Sequence, residues 1–463
     1  MFTASPTKYV NRRDFACAAV IALSSAAIAL VPSATIKIAA IATLAAAALL
    51  YAICLRPNRW LAIFFFADLL LPPVASSLGG SGIHAAAGAA LLGLFAGALQ
   101  LGEWDWRSPP LAASIAAFSF SLAASVGFAL VYSGPAIAAG SAIRIGLLWI
   151  SFYIFLYAAR GPRSRRDQPE RFAAFLFTLA LAASAFACLD FYFHFPAPAG
   201  FSDQYVWLSE GVFRRAQGLF YDASTLGNFC VFFLTYALIA ICEWPRSPSI
   251  PRIGMILPGA ALILSYSRAS LVSFAVAAAA YAVLRGVRIG RAALAILTAA
   301  AVSALAIHFF FPSFAGNYWT RFFASIEYFA ERPDSILSGR LTNWSKLLAF
   351  IAAHPWIALF GIGYKTLPYT SYLGDPLVAD NTYLSLLVET GVAGLGSFLF
   401  LLAGILKFSF RAARVSFLGR WTFCFWCGQA VQMLSGDLLT YWRVLPLYFW
   451  ILGAALRQAE DAS

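Results

Sequence analysis

Arginines are the most informative polar residues of this chain, because several stand where an apolar sequence has no evident use for a charge. Arg214 and Arg215 are adjacent in Phe-Arg-Arg-Ala-Gln-Gly, and Arg268 stands in Leu-Ser-Tyr-Ser-Arg-Ala-Ser between two short apolar runs. Guanidinium groups present a planar fork of N–H donors that suits phosphate oxygens. An ionisable residue at membrane depth is costly unless it is paired or lines a polar cavity. The pattern predicts a site for a phosphate-like anion.

Structural roles compete with that interpretation. Arg214 and Arg215 could form ion pairs, with the acidic partner drawn from Asp203, Glu210 or Asp222. Arg268 could pair with one of two acidic residues that lie in predicted spans, Asp68 or Asp190. Arg144 and Arg443 also lie away from the inner loops, and both are predicted to be interfacial anchors.

A second group of candidates lies in a long segment, residues 312–381, that is predicted to leave the membrane. Ser338 is predicted to start a helix with Arg340 in its first turn and with five residues on its buried side: Leu341, Trp344, Leu347, Leu348 and Ile351. Pro355 ends that helix, because the residue before a proline avoids helical geometry. Gly361-Ile-Gly363 predicts a turn. The segment 318–329 predicts a further amphipathic helix on the bilayer surface.

The segment closes on Asp380-Asn381, directly before another apolar run. Asp380 is predicted either to cap the following helix or to act as a general base. Asn381 and Tyr383 are interpreted as groups that position an acceptor, and Glu389 as an acid that pairs with an arginine. His354 is a weaker candidate base with a structural alternative.

Composition determines the class of protein that carries these residues. Of 463 residues, 61% are hydrophobic and 11% are charged, whereas soluble domains are about 25% charged. The chain is therefore predicted to be an all-α, polytopic bundle of about 12–14 membrane-spanning helices. The candidate spans are 15–31, 35–55, 60–75, 83–101, 110–132, 141–159, 172–193, 218–242, 253–265, 269–284, 292–311, 382–406, 421–438 and 444–456.

Basic residues orient the bundle. Clusters such as Arg160–Arg171 fall on one side of the predicted membrane, which makes that side cytoplasmic by the positive-inside rule. The net charge of +12 is then explained by the orientation of the protein in the membrane, and it does not indicate binding to nucleic acid. We predict a bundle over residues 1–311 with a short outer loop near 194–217, an extracytoplasmic catalytic loop over 312–381, and C-terminal spans over 382–463.

The ordered motifs resemble a known family. They are Arg-Ala-Gln-Gly-Leu-Phe from Arg215, Ser-Arg-Ala-Ser around Arg268, Ser-Gly-Arg…Trp around Arg340, His-Pro-Trp…Gly-Ile-Gly from His354, and Asp-Asn-Thr-Tyr-Leu…Glu-Thr-Gly-Val-Ala-Gly from Asp380. Together they resemble the O-antigen ligase and O-antigen polymerase superfamily of bacterial membrane glycosyltransferases. The motifs cover residues 214–394, and the many-span layout covers the whole chain.

The resemblance implies a metal-independent enzyme of the GT-C type without a cofactor, active on the outer face of the bacterial inner membrane. The donor would be an oligosaccharide on undecaprenyl pyrophosphate, and the acceptor another glycan or lipid A-core. By position, Arg215 and Arg268 match the arginines that bind pyrophosphate, and Arg340 matches the loop arginine. Arg214 and Gln217 lie beside them as substrate-binding candidates. A chain-length regulator is expected as a partner by family analogy.

The chain departs from the ligases at one position. Asp380 stands where they carry a histidine, directly before the shared Asn381. This difference favours a polymerase of O-antigen or exopolysaccharide over a lipid A-core ligase. A lipid-linked oligosaccharide flippase or polysaccharide transporter is the alternative, but its charged residues would line a cavity between two similar halves. Here the unusual polar groups collect in the second half of the chain, which favours an enzyme.

Overall fold

The computed structural model describes residues 49–54, 56–78, 81–162, 169–198, 201–208, 211–244, 253–287, 339–372, 374 and 377–462, with residues 305, 308, 309, 316 and 319. Within these residues the protein is all-α, apart from two small hairpins, as the sequence predicted. Three predicted elements lie mainly outside them: the spans 15–31 and 292–311 and the amphipathic helix 318–329. Only residues 49–54 of the predicted span 35–55 are described.

The first half of the bundle follows the predicted spans closely. Its elements are α1 Pro57–Leu70, the hairpin β1 Val74–Leu78 and β2 Ser81–Ile83, α2 Ala85–Leu99, α3 Ala112–Ser133, α4 Pro135–Arg160 and α5 Pro169–Phe193. Prolines begin α1 and α4, where the missing N–H has no helical partner to lose. Gly134 lies between α3 and α4 and has φ 83°. A positive φ angle is readily adopted by glycine because it has no Cβ.

The second half contains the shorter helices that surround the candidate site. Its elements are the hairpin β3 Tyr205–Leu208 and β4 Gly211–Arg214, then α6 Ala223–Glu243, α7 Ile256–Leu264, α8 Arg268–Leu284, α9 Arg340–Ala353, α10 Pro355–Phe360, α11 Thr382–Ala413, α12 Phe417–Gln432 and α13 Leu445–Asp461. Within the described part of the chain, α3, α4, α5, α6 and α11 are long and apolar enough to cross a membrane. The chain is a multi-pass membrane protein.

Aromatic side chains and close helix contacts hold the centre of the bundle together. The Phe232 ring of α6 lies 4.4 Å from the Trp421 ring of α12 and 4.7 Å from the Tyr448 ring of α13. A Cβ at Gly453 of α13 would lie 2.6 Å from the Phe155 carbonyl oxygen of α4. Because helices in lipid associate mainly through van der Waals packing and hydrogen bonds, these contacts fix the helix order.

An ion pair joins α4 to α13 at one end of the bundle. Arg160 donates to both carboxylate oxygens of Glu460, Nη1 to Oε2 at 2.5 Å and Nη2 to Oε1 at 2.9 Å. The Arg160 side chain is only 8% exposed, whereas its partner Glu460 is 36% exposed, so the bidentate pair lies at the edge of the protein. Sequence analysis gave Arg160 no catalytic role, and the structure gives it a structural one.

Helix α11 is interrupted at Gly391, which has φ 69° and ψ −172°. The interruption breaks the pattern in which each N–H bonds to the carbonyl four residues earlier. The carbonyls of Val388 and Glu389 accept instead from the N–H groups of Ile362, at 3.1 Å, and Gly363, at 2.8 Å. The turn predicted at Gly361–Gly363 is therefore present, and it is bonded to the break in α11.

Two glycines allow this contact. A Cβ at Gly391 would lie 2.2 Å from the Leu359 carbonyl oxygen, and one at Gly361 would lie 2.3 Å from the Glu389 carbonyl group. Both residues also have left-handed φ angles, 69° and 74°. Since the obstructing atoms belong to the backbone, a side chain at either position would push α10 away from α11.

We predict that Gly391→Ala lowers the thermal unfolding midpoint of the purified protein. The left-handed backbone alone should cost about 1–3 kcal/mol, and the clash with Leu359 adds to it. Gly396→Ala is the matched control, because Gly396 lies in the same helix with open space around its Cα. That variant should keep or raise the midpoint, since alanine is the better helix former. Equal midpoints for both variants would contradict the prediction.

Candidate active site

Arg215 and Arg268 are brought to the same turn of the chain. Arg215 follows β4, and its Nε donates to the Ser265 carbonyl at 2.8 Å. The next backbone N–H, from Ala216, donates to the Leu264 carbonyl at 2.9 Å. Leu264 ends α7 and Arg268 begins α8. The two motifs predicted to bind an anion therefore form one local structure, although they are about fifty residues apart in sequence.

The turn between α7 and α8 is unusual in its backbone. Tyr266 is buried and has φ 51°, a left-handed conformation that is uncommon outside glycine. The Ser267 N–H donates to the Ser265 hydroxyl at 3.3 Å within the same turn. Non-glycine residues in this region cost about 1–3 kcal/mol and persist where their surroundings fix them, often at functional sites. The geometry supports a functional turn that ends in Arg268.

Arg214 and Gln217, predicted to bind substrate, are held by the protein itself. The buried Arg214 guanidinium donates to Asp203 Oδ1 at 2.8 Å and to Asp190 Oδ1 at 3.2 Å. Gln217 is 1% exposed, and its amide donates to the Ser202 carbonyl at 3.1 Å. These contacts favour the structural alternative for Arg214 and include Asp203, which sequence analysis listed as a partner.

Two other arginines were interpreted differently from what the structure shows. Arg443 is 7% exposed and lies 3.8 Å from Asp68, Nε to Oδ1, so it is a buried ion-pair partner and not an interfacial anchor. Arg144 lies more than two turns inside α4, where its guanidinium covers the Tyr369 ring at 4.4 Å. Asp68 therefore faces Arg443, and Asp190 faces Arg214, instead of serving as partners of Arg268.

Helix α9 holds the segment that presents Asp380. Arg340, the first residue of α9, lies 3.3 Å from Asp380, Nε to Oδ2. The Asn343 amide donates to the Val378 carbonyl at 3.2 Å, and the Trp344 indole N–H donates to the Ala379 carbonyl at 2.6 Å. The sequence predicted that this helix ends before Pro355, which is confirmed. Three successive residues, 378–380, are thus fixed by one face of α9.

The predicted buried side of α9 needs one correction. Leu347 is fully buried, but Leu348 is 55% exposed. Leu341, Trp344 and Ile351 are half-buried. The helix begins at Arg340, after Gly339 at φ 80°. Helix α9 packs through one narrow face that contains Trp344, Leu347 and Ile351, which are three and four residues apart. Leu348, next to Leu347, lies outside that face.

The predicted helix cap is displaced by one residue. Asn381, and not Asp380, caps α11, because its Oδ1 accepts from the Leu384 N–H at 3.0 Å. Asp380 has a left-handed φ of 44°, which turns its carboxylate toward Arg340. The Asp380 side chain is 47% exposed. Its carboxylate is therefore not used to bind the backbone N–H groups of α11.

The end of α12 connects the Asp380 segment with the Arg268 turn. The Thr382 N–H donates to the Met433 carbonyl at 2.9 Å, and its hydroxyl donates to the Gly436 carbonyl at 2.9 Å. One residue before Met433, the Gln432 amide donates to the Ser270 hydroxyl of α8 at 3.2 Å. Residues 432–436 therefore contact the start of α11 on one side and the start of α8 on the other.

Gln432 belongs to a buried polar network. Asn228 of α6 donates to Gln429 at 2.5 Å and to Gln432 at 3.0 Å, while Tyr448 of α13 donates to Asn228. Ser270 is in turn 2.8 Å from the hydroxyl of Ser267, the residue before Arg268. Sequence analysis did not select these residues. The available signal was a pair of glutamines three residues apart in an apolar helix, which is rare without a partner.

Tyr441 was also not selected, although it lies where the acidic groups of the site converge. Its side chain is buried in the turn between α12 and α13. Burial raises the pKa of the Tyr441 hydroxyl, and the carboxylates of Asp222, Asp437 and Asp380 raise it further. The phenol therefore stays neutral and can act only as a hydrogen-bonding group.

The remaining candidates occupy separate positions. Tyr383 donates to the Ala430 carbonyl at 2.8 Å and packs between α11 and α12. His354 directly follows the last residue of α9, and its Nδ1 lies 3.1 Å from the Phe350 carbonyl oxygen. Glu389 is 1% exposed and accepts from Ser385 and from the Leu367 N–H. Instead of an arginine, Glu389 has hydroxyl and backbone partners.

A buried ion pair lies beside the candidate site. Lys365, at φ 56°, is buried and paired with Asp437, which itself begins the turn that leads to Tyr441. Within the described residues, no three His, Cys, Asp or Glu side chains form a group that could hold a metal ion.

Comparison with known proteins identifies the domain that contains most of these residues. Residues 253–399 match the O-antigen ligase family, a segment that includes Arg268, Arg340, Asp380 and Asn381. Arg214, Arg215 and Gln217 precede the matched segment. No curated protein matches the chain. The matched segment spans about a third of the chain and includes α7 to α10 and the first half of α11. This membrane protein therefore contains a segment, residues 253–399, that matches the O-antigen ligase family.

Proposed function

We propose that the protein transfers or polymerises a glycan carried on undecaprenyl pyrophosphate, at the periplasmic face of the bacterial inner membrane. The observation that carries the proposal is the hydrogen bond that joins Arg215 to the turn ending in Arg268, a turn that lies in the segment matching the O-antigen ligase family. Two guanidinium-bearing segments held together suit a ligand with two phosphate groups. The acceptor is a second repeat unit, which makes the enzyme a polymerase of O-antigen or exopolysaccharide.

The proposed reaction exchanges one bond at the anomeric carbon of the donor sugar. The bond from this carbon to the pyrophosphate oxygen breaks, and a bond to an acceptor hydroxyl oxygen forms. Negative charge then develops on undecaprenyl pyrophosphate, which leaves with the electron pair. Fixed arginines lower the energy of this charge, and losing one such preorganised donor costs about 3 kcal/mol. The acceptor proton must move to a base as the new bond forms.

We assign the base to Asp380. Its carboxylate is half-exposed, and Asn381 supplies the helix cap, so Asp380 does not have to serve that role. Arg340, Asn343 and Trp344 fix the segment that carries it. Arg340 holds the Asp380 carboxylate, with Nε 3.3 Å from Oδ2. Asn381 remains a candidate for positioning the acceptor.

Reconstitution tests the function directly. The purified protein is placed in vesicles with its undecaprenyl-pyrophosphate repeat unit, and lipid-linked glycan is resolved by gel mobility, with and without lipid A-core. A ladder from donor alone is the expected result. A single shift that requires lipid A-core would replace the polymerase with a ligase. Movement of the donor between leaflets without any new glycan would overturn the enzyme and support the flippase.

Replacing either arginine should slow transfer much more than it weakens folding. We predict that Arg215→Ala and Arg268→Ala each lower kcat about 10²–10³-fold, because each removes a fixed donor to the departing charge. Arg107→Ala is the control, since that side chain is 81% exposed and pairs with Asp105. Thermal midpoints should be measured in parallel. An Arg268→Ala enzyme within a few-fold of wild type would exclude the anion-binding role.

The Asp380→Asn variant distinguishes two possible roles of Asp380, a general base and a structural partner of Arg340. Asparagine can still accept a hydrogen bond from Arg340 but cannot take a proton, so we predict a loss of about 10²–10⁴-fold in kcat with little change in KM. Trp344→Phe provides the comparison, because it loosens the same segment without removing the carboxylate. A fully active Asp380→Asn enzyme would leave Asp380 only a structural role.

A further inference from the structure

The turn after α10 is buried although it has no regular structure. Residues 361–367 are all buried. The Tyr364 N–H donates to the Ser125 hydroxyl of α3 at 3.2 Å, and its carbonyl accepts from the Ser141 hydroxyl of α4 at 2.6 Å. Arg144 donates to the Lys365 carbonyl at 3.4 Å. Side chains of two membrane-spanning helices therefore bind the backbone of this turn.

These contacts lie below the ends of the helices that make them. Ser125 precedes Ser133, the last residue of α3, by about two turns of helix, or ~12 Å. A Cβ at Gly363 would lie 2.4 Å from Ala129, also within α3. Irregular backbone at membrane depth is tolerated only where protein groups bind its N–H and C=O groups. The hydroxyls of Ser125 and Ser141 meet that requirement.

Helix α10 presents an apolar face beside this buried turn. Ile357 points inward and is fully buried, whereas Trp356, Leu359 and Phe360 are each more than half exposed. Three large apolar side chains on a six-residue helix form a patch that a water-facing loop would not favour. Trp356 at the start of the helix is also the residue type that is enriched at membrane interfaces.

The patch lies beside exposed apolar residues of two helices that are long enough to cross a membrane. The Phe360 ring stacks on Phe128 of α3, with ring centroids 5.6 Å apart. Leu130 and Val131 of α3 are 53% and 76% exposed, and Val392 of α11 is 54% exposed. Helix α10 therefore fills the space between two membrane-spanning helices and extends their apolar outer surface.

We propose that α10 and residues 361–367 form a re-entrant segment, and that Trp356, Leu359 and Phe360 contact the acyl chains of the outer leaflet. The segment predicted to lie wholly outside the membrane would then return to it. Helix α10 follows α9 directly through His354, and α9 holds Asp380 through Arg340. Contact of α10 with lipid would fix the height of Arg340 and Asp380 above the bilayer. The inference concerns location and does not depend on the proposed reaction.

Photo-crosslinking tests the lipid contact. p-Benzoylphenylalanine replaces Trp356 or Phe360 in the full chain, which keeps an aromatic group at each position. Ser345 and Lys346, exposed residues of α9, are the control positions. Each variant is reconstituted in vesicles of phosphatidylethanolamine and phosphatidylglycerol, irradiated and weighed by mass spectrometry. A thermal midpoint near that of wild type confirms that each variant is folded.

The expected result is phospholipid adducts at positions 356 and 360, several-fold more than at 345 and 346. Equal and low lipid labelling at all four positions would overturn the proposal. Crosslinks from 356 or 360 to another segment of the chain, or to a second copy, would also overturn it, because the patch would then be covered by protein. The vesicles contain no glycan donor, so the result is independent of the activity assays.

Discussion

Hydrogen bonding of the backbone in apolar surroundings is the constraint on which this structure depends. Helices meet it internally, but the interruption of α11 at Gly391 leaves the Val388 and Glu389 carbonyls to find other donors. The turn after α10 supplies two of them through Ile362 and Gly363. The break in α11 leaves carbonyl groups without donors, and the turn after α10 leaves N–H groups without acceptors. Because these groups bond to each other, neither the break nor the turn is stable alone. This contact fixes α10 and, through it, the loop helix α9.

The candidate site is built from segments that are far apart in sequence and are joined through α12. Residues 432–436 bind the start of α11 through Thr382 and the start of α8 through Ser270. The amides of Gln429, Gln432 and Asn228 are buried, so each must have a partner, and this requirement specifies one relative position of the helices. The polar network therefore positions the Arg268 turn relative to Asp380.

Five arginines that were considered for the candidate site divide into two groups by their burial. Arg214 and Arg443 are buried against Asp190 and Asp68, and removing either would leave a buried carboxylate without its counter-charge. Arg215, Arg268 and Arg340 are half-buried at turns and helix ends. Since all five are arginines in an apolar chain, residue type alone does not separate these groups; burial and partners do.

The sequence by itself determined the class, the helices and the motifs. The spans from 60 to 284 and from 382 onward are present as helices whose ends lie within about seven residues of the predicted ones. Long apolar runs in lipid have helix as their one simple solution. Pairings were decided by tertiary structure. The cap moved from Asp380 to Asn381, Arg443 became a buried partner of Asp68, and Leu348 proved exposed. Each of these three outcomes depends on which helix or turn packs against the residue. Composition and periodicity along one chain do not contain that information.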